Sequence, residues 1–131
     1  MDKLENLLQH ATDNNIKIHS FNLGIDELRG LYVSGNIALS TKLETTREKT
    51  CVLAEELGHY HTTVGDILDL SKIDNLKQEY KARKWAWEYL LPVESILLAV
   101  SIGYKEVHSM AEYLDVDESF LRERLENLGL L

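Results

Sequence analysis

The chain carries a single cysteine, Cys51, and a single proline, Pro92. One cysteine cannot form an internal disulfide, so a reducing cytoplasm is the expected setting. No apolar run approaches the ~20 residues that a membrane-spanning helix needs, and no membrane partner is expected. The opening residues, Met1-Asp2-Lys3-Leu4-Glu5, lack the basic start and apolar stretch of a secretory signal. Basic residues are scarce as well: 14 Lys and Arg stand against 22 Asp and Glu, for a net charge of -8. Binding to phosphate backbones needs clustered Lys and Arg. The balance therefore argues against direct nucleic-acid binding and favours a basic partner.

What is present is an ordinary globular composition, 44% hydrophobic and 27% charged over 131 residues. That suits one core. Leu4, Leu7, Leu8 and Ala11 recur at helical spacing and predict a helix over 2–13, punctuated by Asn14-Asn15. Ile16, Ile18 and Phe21 suggest a short strand, and Gly24 to Glu27 a turn. Leu31-Tyr32-Val33 and Ile37-Ala38-Leu39 flank Ser34-Gly35-Asn36, which reads as a hairpin. From Thr45 the pattern turns helical, with Thr45 or Thr46 capping and Glu48 close behind. This helix runs to about His61, and a loop from Gly65 to about Asn75 follows. A second helix is expected over Leu76–Leu91, stopped by Pro92. A third runs from Val93 to Val100, ended by Gly103. Two short ones cover 105–114 and 117–128, with Asp117 as a cap. Strands precede helices, so the fold class is α+β, with a small N-terminal antiparallel sheet and a helical C-terminal part.

Glu55-Glu56-Leu57-Gly58-His59 fits H-E-x-x-H at every position but the first. On a helix, residues i and i+4 share a face and can grip one metal ion, while the Glu at i+1 projects beside it. From there it can take a proton from metal-bound water. Glu55 stands where the first His would, and a carboxylate is an acceptable zinc ligand. It also shifts preference toward oxygen-loving ions such as manganese. A third ligand is required. Glu79 heads the stripe Glu79, Ala82, Ala86, Leu90 and is expected on the inward face. His61 is a rival for the ligand role, and Asp66 and Asp69 are further options. Cys51 reads as a buried structural thiol. Each piece has a plain alternative: Glu-Glu-x-x-His also suits a solvated helix face, and Glu79 a first-turn position favoured by the helix dipole.

Val52-Leu53-Ala54-Glu55-Glu56-Leu57-Gly58-His59-Tyr60, followed by Glu79-x-x-Ala82-Arg83-x-Trp85-Ala86-x-x-x-Leu90-Leu91-Pro92, resembles the ImmA/IrrE metallo-endopeptidases of phages and mobile elements. With Arg29-Gly30-Leu31-Tyr32 the resemblance spans about residues 28–93. It implies a zincin-like active-site helix, with His59, Glu79 and, in place of the first His, Glu55 as ligands of zinc or another divalent metal. It implies Glu56 as the catalytic residue. The implied function is that of an anti-repressor in a bacterial host's cytoplasm, cleaving or inactivating a helix-turn-helix repressor. The alternative is an inactive relative that sequesters the repressor.

On this reading residues 1–92 form the metallopeptidase-like core, and 93–131 a helical C-terminal subdomain packed on it. In that subdomain Met110-Ala111, Leu114, Val116, Phe120-Leu121 and Leu125 space out like a helix-turn-helix. Its second helix mixes Arg122 and Arg124 with Glu118, Glu123 and Glu126, too acidic for a DNA-reading helix. Trp85 and Trp87 read as core and rim, not as a stacking platform.

Overall fold

The computed structural model describes residues 2–24, 27–62 and 72–131. The Leu4-Leu7-Ala11 stripe folds as helix α1 (Lys3–Asp13), with Leu7 and Ala11 buried and the Asp2 carboxylate accepting from the Glu5 N–H at 2.8 Å. The helix stops where Asn15 turns left-handed (φ 58°). The Asn15 and Ile16 amides then reach back to the Thr12 and Ala11 carbonyls, a helix ending that asparagine tolerates. Strand β1 (Lys17–Phe21) follows at once.

Strands β2 (Gly30–Val33) and β3 (Asn36–Ser40) form the expected hairpin, with Val33 opposite Asn36. Only Ser34 and Gly35 lie between them, at φ 45° and 80°, the two positive values that the tight hairpin turn demands. The sheet as a whole is not antiparallel, and here the expectation is corrected. Strand β1 pairs parallel to β3, and the order is β1-β3-β2. The connection from β1 to β2 steps over one strand position, and β3 fills it. Alternation along a strand reports which face is buried; it does not report the neighbour.

Helix α2 (Thr46–Thr62) starts on the expected cap, with Thr45 Oγ1 accepting from the Glu48 N–H at 3.1 Å. Thr50 to Ala54, Glu56, Leu57 and Gly58 are all buried, so this helix is enclosed on nearly every side. It packs on α1, on the sheet and on helix α3 (Lys72–Leu90). Of the loop expected over 65–75, residues 65–71 with Asp66 and Asp69 lie outside the described residues, as do 25 and 26 of the expected turn. Helix α3 already includes Asn75, because an asparagine costs a helix at most ~0.7 kcal/mol. Its inward stripe Ala82, Ala86, Leu90 is buried as expected.

Helix α4 (Val93–Ser101) begins after Pro92, and α5 (Val107–Leu114) and α6 (Glu118–Asn127) follow. Asp117 holds the N-cap position of α6, but its side chain makes no capping bond; it faces Arg29 Nη2 at 3.9 Å. Met110, Leu114, Val116, Phe120 and Leu121 share one buried cluster with Leu53 and Leu57. Two cations pin these helices where unpaired carbonyls collect at helix ends. Lys3 Nζ donates to the Leu90 and Leu114 carbonyls, and buried Arg124 donates through Nε to the Leu91 carbonyl at 3.1 Å. No described helix is long and apolar enough to cross a membrane.

Helices α2 and α3 meet backbone to backbone at Gly58. A Cβ there would lie 2.2 Å from the Ala82 carbonyl oxygen and 2.9 Å from the Ala82 Cα. Elsewhere in a helix, Gly→Ala stabilises by up to ~1 kcal/mol. At Gly58 the sign is expected to reverse. Gly58→Ala forces the helices apart at a destabilisation of ~3 kcal/mol, the upper end for overpacking. The urea midpoint checks this, and a rise in it contradicts the close approach.

Candidate metal centre

The crossing at Gly58 sets the register of the two helices. They run antiparallel, so a step forward on α2 matches a step back on α3. His59 therefore meets Glu79, with Nε2 and Oε1 3.3 Å apart, and Glu55, one turn earlier, meets Arg83, one turn later, with Oε1 3.8 Å from Nε. His59 is largely buried, while the Glu79 side chain is 58% exposed. The expectation of an inward Glu79 is thus corrected: it rises to the rim of the buried stripe and bends over it to His59. The bond between them shifts both groups toward their charged forms. It raises the His59 imidazole above its ordinary value against the effect of burial, and it lowers the Glu79 carboxyl.

Glu56 points inward, 9% exposed. Its Oε2 is buried without a hydrogen-bond partner. Burial pushes its carboxyl up to about 7, with the neighbouring His59 pulling the other way. Strand β2 closes over its stem: a Cβ on Gly30 would fall 3.1 Å from Glu56 Cγ and 2.6 Å from Val52 Cγ1. Glu56 is therefore confined between the sheet and α3, beside the His59–Glu79 pair.

Glu55 does not join them. It lines a separate polar cavity of about 230 Å³ with Arg29, Cys51, Arg83, Asp117 and Glu123. Burial raises its carboxyl, and Arg83 opposes the rise. Arg83 Nε is shared between Glu55 and Glu123 of α6, at 3.8 and 3.7 Å. Among the described residues, no group of three or more His, Cys, Asp or Glu is disposed to hold a metal ion. His61 takes another direction, against His10 of α1, with the two Nε2 atoms 2.6 Å apart. Cys51 is a free buried thiol, pushed up to about 12 by burial, and is inert at neutral pH.

The donors present fit a divalent ion in kind. An imidazole nitrogen and a carboxylate oxygen stand adjacent, and both are zinc ligands. Beside them lies an orphaned buried carboxylate oxygen, the sort of acceptor that a cation stabilises. Arg83 is the participant that the spacing of the motif did not single out. Its signal was available, since it lies one turn beyond Glu79 on the same face of α3, but only a known helix register ties it to Glu55.

Comparison with curated proteins finds no match. The family of IrrE N-terminal-like domains, the M78 peptidases, matches residues 11–126, from the end of α1 through the sheet and the α2–α3 pair into α6. The chain belongs to this metallopeptidase-like family.

Proposed function

We propose that the protein is a metal-dependent endopeptidase of a phage or mobile element, acting in the bacterial cytoplasm on a helix-turn-helix repressor. One observation carries the reading: His59 and Glu79 meet at 3.3 Å with the partnerless carboxylate oxygen of Glu56 confined beside them. His59 and Glu79 would hold the ion, zinc or manganese, and Glu55 would complete the set after leaving Arg83. When bound, the metal supplies Lewis acidity and a more acidic water. Glu56, one residue from Glu55, projects about 100° around the helix from it. It is placed to accept a proton from an attacking water and return it to the departing amine. The close approach of Gly30 to its stem limits the positions its carboxylate can take.

A second reading rests on Glu55. Its carboxylate is engaged with Arg83, so a chain that keeps this pair binds metal weakly and inactivates the repressor by sequestering it. The acidic balance, net charge -8, suits a basic partner under either reading.

Two variants separate these readings. His59→Ala is expected to abolish the gain in thermal midpoint that manganese gives the wild type, since an ion bound only to the folded state stabilises it by mass action. A gain of equal size in the variant removes His59 from the site. Glu56→Gln keeps shape and packing but cannot accept the proton. It is expected to retain metal and repressor binding while cleavage falls by at least ~10²-fold, the typical contribution of a positioned base. Loss of the full-length repressor band over time reads this out. If Glu56→Gln relieves repression as well as wild type does, the protein acts by binding.

A further inference from the structure

Away from Glu56 and Glu79, two more of the five histidines converge. His10 lies on α1 and His61 near the end of α2, 51 residues apart in sequence, with Nε2 facing Nε2 at 2.6 Å. Aromatic rings set both. The Trp85 indole stacks on the His61 ring (centroids 4.7 Å, planes 19° apart), and Tyr89 stacks on Trp85 in turn. The His10 ring sits 5.6 Å from both Trp85 and Tyr89. The edge of Tyr60 meets His61 at 4.8 Å. The two Nε2 atoms face each other across a hydrogen bond, one imidazole donating and the other accepting, and an ion would take the place of the shared proton.

We propose that His10 and His61 form a second metal site, a two-imidazole seat for a transition-metal cation of the zinc, nickel or copper(II) class. Imidazole nitrogen suits these ions and leaves magnesium and calcium unbound. Two nitrogens each ~2.0–2.1 Å from one tetrahedral zinc stand about 3.3 Å apart. The observed pair reaches that separation by opening about 0.7 Å, a small swing for side chains at the surface. His61 is exposed, so water completes the coordination. Stacking on Trp85 fixes the His61 ring plane before an ion arrives, which lowers the entropic cost of binding. The remaining histidines have other partners: His59 pairs with Glu79, His19 with Asn36, and His108 with Glu112 and Glu118. The site shares no ligand with the proposed catalytic centre and stands or falls independently of it.

The test uses the full chain with nickel(II) as probe, following tryptophan emission and calorimetric stoichiometry. Nickel is paramagnetic and quenches an indole stacked on its ligand. Trp85 meets that condition, whereas Trp87 lies in the core against Tyr80. His59→Ala is expected to keep one equivalent of nickel and the quench. In that background, His10→Gln and His61→Phe (the latter keeping a ring over Trp85) are each expected to weaken binding roughly 10- to 100-fold, at least what disturbing a ligand's supporting partners costs. Unchanged affinity in both variants overturns the proposal. So does loss of all nickel binding in His59→Ala, or loss on His108→Ala, which places the ion on α5. Binding that survives His59→Ala but not His61→Phe supports this site whether or not Glu56→Gln impairs cleavage.

Discussion

The close approach at Gly58 governs the candidate site. With no side chain at that position, α3 can bring the Ala82 carbonyl to where a Cβ would otherwise be, 2.2 Å away. That contact fixes both the distance and the register of two antiparallel helices. Once 58 lies against 82, His59 falls beside Glu79 and Glu55 beside Arg83. The small residues around it, Ala54, Ala82 and Ala86, all buried, extend the close crossing along both helices. Side-chain chemistry here is downstream of backbone packing.

The same packing explains the electrostatics. Helix α2 is central and enclosed, so Glu56 loses its water without gaining a partner for Oε2. Glu79 escapes this fate because α3 ends its inward stripe one turn away, at the rim. Glu56 and Glu79 then set two carboxylates against the one imidazole of His59, an excess of negative charge that the burial of Glu56 makes unfavourable. A folded protein that keeps such an arrangement usually uses it. Membership in the M78 peptidases supplies the chemical context in which a cation would offset that excess.

Local signals were legible in the sequence, and pairings over distance were not. Gly35-Asn36 between two β-prone runs announced the hairpin, although the turn itself is Ser34-Gly35, both at positive φ. Thr45 with Glu48 announced the start of α2. The i, i+4 relation of residues 55 and 59 was right as geometry, yet it says nothing about which partner each residue meets across the helix interface. The parallel pairing of β1 with β3 was hidden, since strand patterning carries no neighbour information. The targets of Lys3 and Arg124 were hidden too: they are backbone carbonyls, which every residue has and no sequence pattern marks. Asp117 was legible as the N-cap of α6, whereas the partner that its side chain faces, Arg29, was not.

The carboxylate at position 55 is matched to its surroundings. Arg83 Nε has no hydrogen-bond partner and is held by charge between Glu55 and Glu123, at 3.8 and 3.7 Å. A neutral imidazole at 55 would leave Arg83 with Glu123 alone on that side, in a cavity where Arg29 adds a second positive charge. Glutamate satisfies the cavity and remains one turn from His59, on the same helix face. The residue therefore answers first to the polar cavity beneath α6. At 3.8 Å its ion pair is too long for a hydrogen bond, and a partly exposed pair contributes little. The link to Arg83 is thus a weak one. Because Arg83 also pairs with Glu123, the position of α6 bears on how firmly Glu55 is held, and the helical C-terminal part is connected electrostatically to α2.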